Sequence, residues 1–174
     1  MTKIRSIWFT TLALSTSLLV TGCAGSATKA VVVQPLTIDH NSNIRIADVT
    51  VEAADGVWLR DEHREVIQRK IQDILDKTPQ SNGSGKGYHM KVTLTRFDEG
   101  SAAARLTLIG LGQIHIEGGI RLFDDANKPA GEYQIKKTFV GGGFYGGFTS
   151  LESVEDGFAK SVIAGLNETH QKKP

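Results

Sequence analysis

Tyr88-His89-Met90-Lys91-Val92-Thr93-Leu94-Thr95 is the stretch from which the fold is read. Apolar and polar residues alternate through it, the period of a strand with one buried face and one wet face. A face of that kind needs an amphipathic cover, and the chain has a candidate on either side. Upstream, Leu59, Val66, Ile67, Ile71, Ile74 and Leu75 recur at helical spacing within Trp58–Thr78. Pro79 stops that helix, because the residue before a proline is pushed out of the α region. Its apolar stripe is one-sided, so it packs on a single surface. Downstream, Leu151, Val154, Phe158, Val162 and Leu166 form a second stripe, and Thr149 with Glu152 reads as a capping box. Gly157 and Gly165 weaken this second helix.

Further strands complete the sheet. Asn43 to Val51 alternates through Ile44 and Ile46, and Val31-Val32-Val33 begins an extended segment. Leu106 to Ile109 reads as a short strand. Ile114, Ile116, Ile120 and Leu122 continue as a long one, with Gly118-Gly119 marking a bulge or a close backbone approach. Asp124 to Pro129 is a turn, and Tyr133 to Phe139 returns. The expected fold class is α+β: a two-layer sandwich, a mainly antiparallel sheet with two amphipathic helices on one face.

The N-terminus has a different character. Lys3 and Arg5 precede an apolar run from Ile7 to Val20, and Val20-Thr21-Gly22-Cys23 follows. A basic start, a short apolar core and a small-residue cleavage site mark an export signal. The run is broken by Thr10, Thr11, Ser15, Thr16 and Ser17 and falls short of the ~20 residues of a membrane span. Cys23 is the chain's single cysteine, so an intramolecular disulfide is excluded. Cysteine directly after the cleavage point resembles the lipobox of bacterial lipoproteins. That resemblance implies cleavage between Gly22 and Cys23 and acylation of Cys23, by palmitate or a similar chain. Ala24 stands where an Asp would signal inner-membrane retention in enterobacterial lipoproteins. By the same resemblance the protein goes to the outer membrane, on its periplasmic face. The expected organisation is a signal peptide over 1–22, an acylated tether over 23–31, one periplasmic domain over 32–168 and a tail over 169–174.

Charge narrows the function classes. The chain has 20 basic and 19 acidic residues; removing Lys3 and Arg5 with the signal leaves 18 against 19, a net −1. A near-neutral chain is not an electrostatic nucleic-acid binder. Gly83-Ser84-Gly85-Lys86-Gly87 has the Gly-Lys pair of a phosphate loop, but Gly87 replaces the Ser or Thr that would hold magnesium, and helix precedes strand. His89, His115 and Glu117 could meet on neighbouring strands, yet a metal needs three or four ligands. No metal, cofactor or catalytic residue is expected; the only attached group is the lipid on Cys23. The remaining candidate is Gly141–Phe148, whose Phe144, Tyr145 and Phe148 either dock on a partner or tuck beneath the last helix.

Gly100-Ser101-Ala102-Ala103-Ala104-Arg105, then Gly110-Leu111-Gly112, then an alternating strand ending at Asp124, is an ordered set of features. With the lipobox and the glycine-rich segment before the last helix, it resembles a family of bacterial lipoproteins of unknown function, the DUF4410-like exported domains. The resemblance spans about Val32 to Leu166 and implies an exported α+β domain without assigning an activity. The expected role is a non-enzymatic binding or accessory domain for an envelope complex. The alternatives are a self-assembling structural lipoprotein and a small-ligand or glycan binder.

Overall fold

The computed structural model describes residues 29–35, 44–78, 85–107, 112–139 and 149–171. Strands β1 (Lys29–Gln34), β2 (Arg45–Ala53), β3 (Gly87–Asp98), β4 (Ile114–Asp124) and β5 (Pro129–Phe139) form one sheet in the order β1-β5-β4-β3-β2. Helices α1 (Asp61–Leu75) and α3 (Leu151–Gln171) cover one face, and a short helix α2 (Ala102–Thr107) joins β3 to β4. This is the α+β, two-layer arrangement expected from the alternation in β3 and the two apolar stripes.

The topology combines two local rules. β3, β4 and β5 form an antiparallel meander, and β1 adds antiparallel to the free edge of β5. β2 pairs with β3 in parallel, Val49 opposite Met90 and Val51 opposite Val92. A parallel pair cannot be closed by a tight turn, so the chain crosses over through α1. β1 begins at Lys29, inside the stretch expected as tether.

The core lies between the sheet and the two helices. β3 contributes Met90, Val92 and Leu94; β4 contributes Ile114, Ile116, Ile120 and Leu122; β5 contributes Tyr133 and Ile135. α1 buries Ile67, Ile71 and Leu75, and α3 buries Val154, Phe158, Val162 and Leu166. Each such side chain contributes roughly 1.5–3 kcal/mol through burial. Tyr133 spans the interface, and its hydroxyl donates to the Val162 carbonyl at 2.8 Å.

Two local expectations are corrected and a third is met. Leu106 and Thr107 belong to α2, not to a strand, because Ala102-Ala103-Ala104 is a strong helix-forming run that outweighs the apolar signal behind it. Residues 108–111 lie outside the described residues. The helix cap is Ser150 rather than Thr149: its Oγ accepts the Ser153 N–H at 3.2 Å, one residue later than the capping box implied. Of the two glycines of β4, Gly118 marks the close backbone approach expected there, and a bulge sits beside it on β3, between Leu94 and Arg96. A Cβ on Gly118 would lie 3.2 Å from the Phe158 ring.

Candidate functional site

Three described surfaces have the polar density of a site, and each follows from the strand register. The first is the open face of the sheet, opposite the helices. β3 places His89, Lys91, Thr93 and, past the bulge, Arg96 there; β2 places Asp48, Thr50 and Glu52 alongside. β4 adds Glu117, Gly119, Arg121 and Phe123, and β5 adds Glu132, Gln134 and Lys136. The charges are matched across strands: Lys91 to Glu52 at 2.9 Å, Arg121 to Glu132 at 2.9 Å, and Glu117 between Arg96 at 3.8 Å and Lys136 at 3.5 Å. The Lys91 ammonium beside Glu52 holds that carboxyl below its ordinary range. In the middle of the face is Gly119, around which a Cβ would meet nothing within 4 Å.

The same register separates the three residues considered for a metal. His89 pairs with Asp48 and stands opposite Phe123, near one end of β4. His115 stands opposite Asp98 at the other end and contacts the Thr138 hydroxyl at 3.2 Å; burial pushes its imidazole pKa down. Glu117 is held by the two cations named above. Among the described residues no group of three His, Cys, Asp or Glu is placed to hold a metal ion. Lys86, the lysine of the glycine-rich loop, contacts Asp124 at 3.0 Å. Asp124 also accepts the backbone N–H groups of Lys128 and Ala126, and with Lys86 these hold its carboxyl below the usual range. Asp124 therefore builds the β4–β5 turn.

The second surface is the groove between α1 and α3, of about 580 Å³. His63 Nδ1 faces Glu155 Oε1 at 2.9 Å, and Arg60 Nη2 donates to His63 Nε2 at 2.7 Å. Nε2 also lies 3.4 Å from Glu99 Oε1 and 3.6 Å from Glu62 Oε1, so the ring sits among three carboxylates and one guanidinium. Burial raises the Glu155 carboxyl pKa, and the His63 hydrogen bond partly offsets this. Lys70 binds Asp156 at 2.6 Å from the same groove. These contacts pin α1 to α3. The apolar periodicity singles out neither His63 nor Glu155; the positions i−4 from Ile67 and i−3 from Phe158 are the signal that places both beside the core.

The third surface lies at the end of the sheet where β3 stops. Trp58, Arg60, Phe97, Asp98, Glu99 and Gly100 line a groove of about 410 Å³. Trp58 is 72% exposed, with the Arg60 guanidinium 5.7 Å from its ring centroid. The motif glycines support this end. Gly100 has φ +64°, and its N–H donates to Asp98 at 2.9 Å. Gly112 has φ +65°, and its carbonyl accepts the Ser101 N–H at 3.1 Å. Both conformations favour glycine.

The candidate partner residues Phe144, Tyr145 and Phe148 lie outside the described residues, as do Gly22 and Cys23. The flanks of the aromatic segment, Phe139 and Leu151, end β5 and begin α3. Among the described residues no helix is long and apolar enough to cross a membrane.

Residues 59–143 match a family model described as a domain of unknown function (DUF4410). The span runs from just before α1 through β5 and includes Gly100, Arg105, Gly110 and Gly112. Over that span the chain is similar to the DUF4410 domain, and the fold around it is α+β. No curated protein matches the sequence. Among solved structures, a point variant of the PelC dodecamer from Paraburkholderia phytofirmans is similar, with TM-score 0.51 and 9% identity, covering 80% of this chain and 97% of that chain. A second PelC dodecamer from the same organism has TM-score 0.44 and 7% identity, covering 80% of this chain and 97% of that one. A protein named as a candidate lipoprotein from Caulobacter crescentus CB15 has TM-score 0.38 and 17% identity, covering 72% of this chain and 93% of that chain. The first likeness extends to the fold alone; the other two carry no argument.

Proposed function

We propose that this chain is an exported lipoprotein, cut after Gly22 and anchored through an acylated Cys23 to the outer membrane on its periplasmic side. The folded domain is a non-enzymatic binding module for an envelope complex. The observation that carries the binding role is the open sheet face, a broad polar surface left uncovered by every described element. Its matched ion pairs are organised for contact rather than for a small convergent ligand, and Gly119 leaves room for another backbone at its centre.

In-cell photo-crosslinking tests this role, with a crosslinking amino acid in place of Gly119 in the full-length, C-terminally tagged chain. Capture of one heterologous envelope protein at this position, and not at the helix-side position Arg69, is the expected result. An uncrosslinked monomer would contradict a docking role. The Phe144→Ser, Tyr145→Ser, Phe148→Ser triple variant examines the aromatic segment. Lost capture with an unchanged circular dichroism spectrum assigns it to the contact, and lost folding assigns it to the core.

Self-association is the second reading. It is favoured by the dodecameric state of the PelC structure that shares this fold. Light scattering on the detergent-solubilised protein distinguishes the two, since a concentration-independent monomer rules out a simple homo-oligomer.

A further inference from the structure

The register and the length of the N-terminal connection together orient the domain, given the Cys23 anchor proposed above. β1 enters the sheet at Lys29, opposite Lys136 of β5; Lys136 stands opposite Glu117 of β4, and Glu117 opposite Arg96 of β3. That row lies two residues before Asp98, where β3 ends. The chain therefore joins the sheet at the end that carries the Trp58 groove. From Cys23 to Lys29 the backbone reaches about 20 Å when fully extended. Across the sheet, β1 and β3 are three strand spacings apart, roughly 14 Å. A lipid on Cys23 thus keeps this end of the domain near the bilayer.

The surface at that end is suited to a lipid headgroup layer. Trp58 is 72% exposed, and Leu106 of α2, which leaves β3 at the same end, is 52% exposed. Indole combines an apolar body with an N–H donor, the combination that partitions to membrane–water interfaces. The Arg60 guanidinium, 5.7 Å from the indole ring centroid, is paired with Glu62 at 2.6 Å and Glu99 at 2.8 Å, so the spot is polar and close to charge-balanced beside the ring. We propose that the end of the sheet bearing Trp58 rests on the membrane to which Cys23 is anchored, with the Trp58 ring seated among the phospholipid headgroups. The open sheet face then stands upright on the membrane, accessible to a partner from the side.

The chain reports on this itself. It has two tryptophans, Trp8 and Trp58, and cleavage after Gly22 removes the first. The acylated mature protein is reconstituted in vesicles of phosphatidylethanolamine and phosphatidylglycerol containing brominated phosphatidylcholine. Its emission is compared with that of the same protein in detergent-free buffer after enzymatic release of the ester-linked lipid. The expected result is a blue shift relative to the released protein, and lower intensity in the brominated vesicles than in matched vesicles without bromine, as for an indole at the interface. Flotation of the same vesicles and the mass of the N-terminal peptide are read in parallel. Flotation with unshifted, unquenched emission overturns the orientation and leaves the anchor standing. A blue shift without bromine quenching means that protein covers the ring, and overturns it too. Failure to float, with an unmodified Cys23, removes the anchor and the orientation with it.

Discussion

At the residue scale, the two glycines of α3 have different structural roles. A Cβ on Gly165 would lie 2.8 Å from the Tyr133 ring and 3.2 Å from Ile135, both fixed in the core. Gly165→Ala is expected to cost about 1–3 kcal/mol through overpacking, more than the helix propensity it gains. A Cβ on Gly157 would meet only the Lys137 side chain, 2.8 Å from its Cε, which can swing aside. Gly157→Ala is expected to be neutral or stabilising by up to ~1 kcal/mol. Urea denaturation of the two variants checks this pair, and an equal loss at both sites would contradict it. The sequence shows two helix-weakening glycines; only the position of Tyr133 across the interface tells them apart.

Glu155 makes a pH prediction at the same scale. Burial raises its carboxyl pKa in the folded state, against the opposing pull of His63 and Lys70 and alongside Glu152. A raised folded value means the folded state holds the proton more tightly than the unfolded chain does. The resulting stabilisation is full below the ordinary carboxylate range and is lost as pH rises through the folded value. Glu155→Gln retains an acceptor for the His63 N–H but cannot ionise. Its melting temperature should therefore gain on that of the native chain as pH rises from about 4 toward 7, the range above a free glutamate's titration. A difference that stays constant over that range would mean the carboxyl is solvated in the folded protein.

At the element scale, β4 carries adjacent glycines facing opposite layers. Gly118 faces the helices, where a Cβ would be 3.1 Å from the Thr93 carbonyl and 3.2 Å from Phe158; Gly119 faces open space. Gly118→Ala is expected to destabilise by about 1–3 kcal/mol. Gly119→Thr should leave stability unchanged or raise it by up to ~1 kcal/mol, since threonine suits a half-exposed strand. Thermal melts of both variants test the assignment of faces. A loss at Gly119 as large as at Gly118 would show that this face is already covered. Alternation made β3, β4 and β5 legible from sequence, and helical spacing did the same for α1 and α3. The parallel pairing of β2 with β3 was not legible, because period-two alternation is identical for parallel and antiparallel partners. α2 was misread because four apolar-to-mixed residues fit helix and strand equally well.

At the scale of the whole molecule, the fold leaves one layer of helices, one open sheet face and one end where the N-terminal connection, Trp58 and the motif glycines converge. The two-layer architecture was legible because both helices have a single apolar stripe and β3 has a single apolar face. The groove network of Arg60, His63, Glu155 and Glu99 was not, since it joins residues up to 92 positions apart in sequence. The open face was legible as polar, but its matched ion pairs needed the register. The proposed anchoring and orientation both depend on Cys23. The most direct test is mass spectrometry of the N-terminal peptide from the membrane fraction of cells making the full-length chain. The expected peptide begins at Cys23 and carries a diacylglyceryl group on sulfur and an acyl chain on the amino group. A peptide beginning elsewhere, or one with an unmodified Cys23, would contradict the lipoprotein reading.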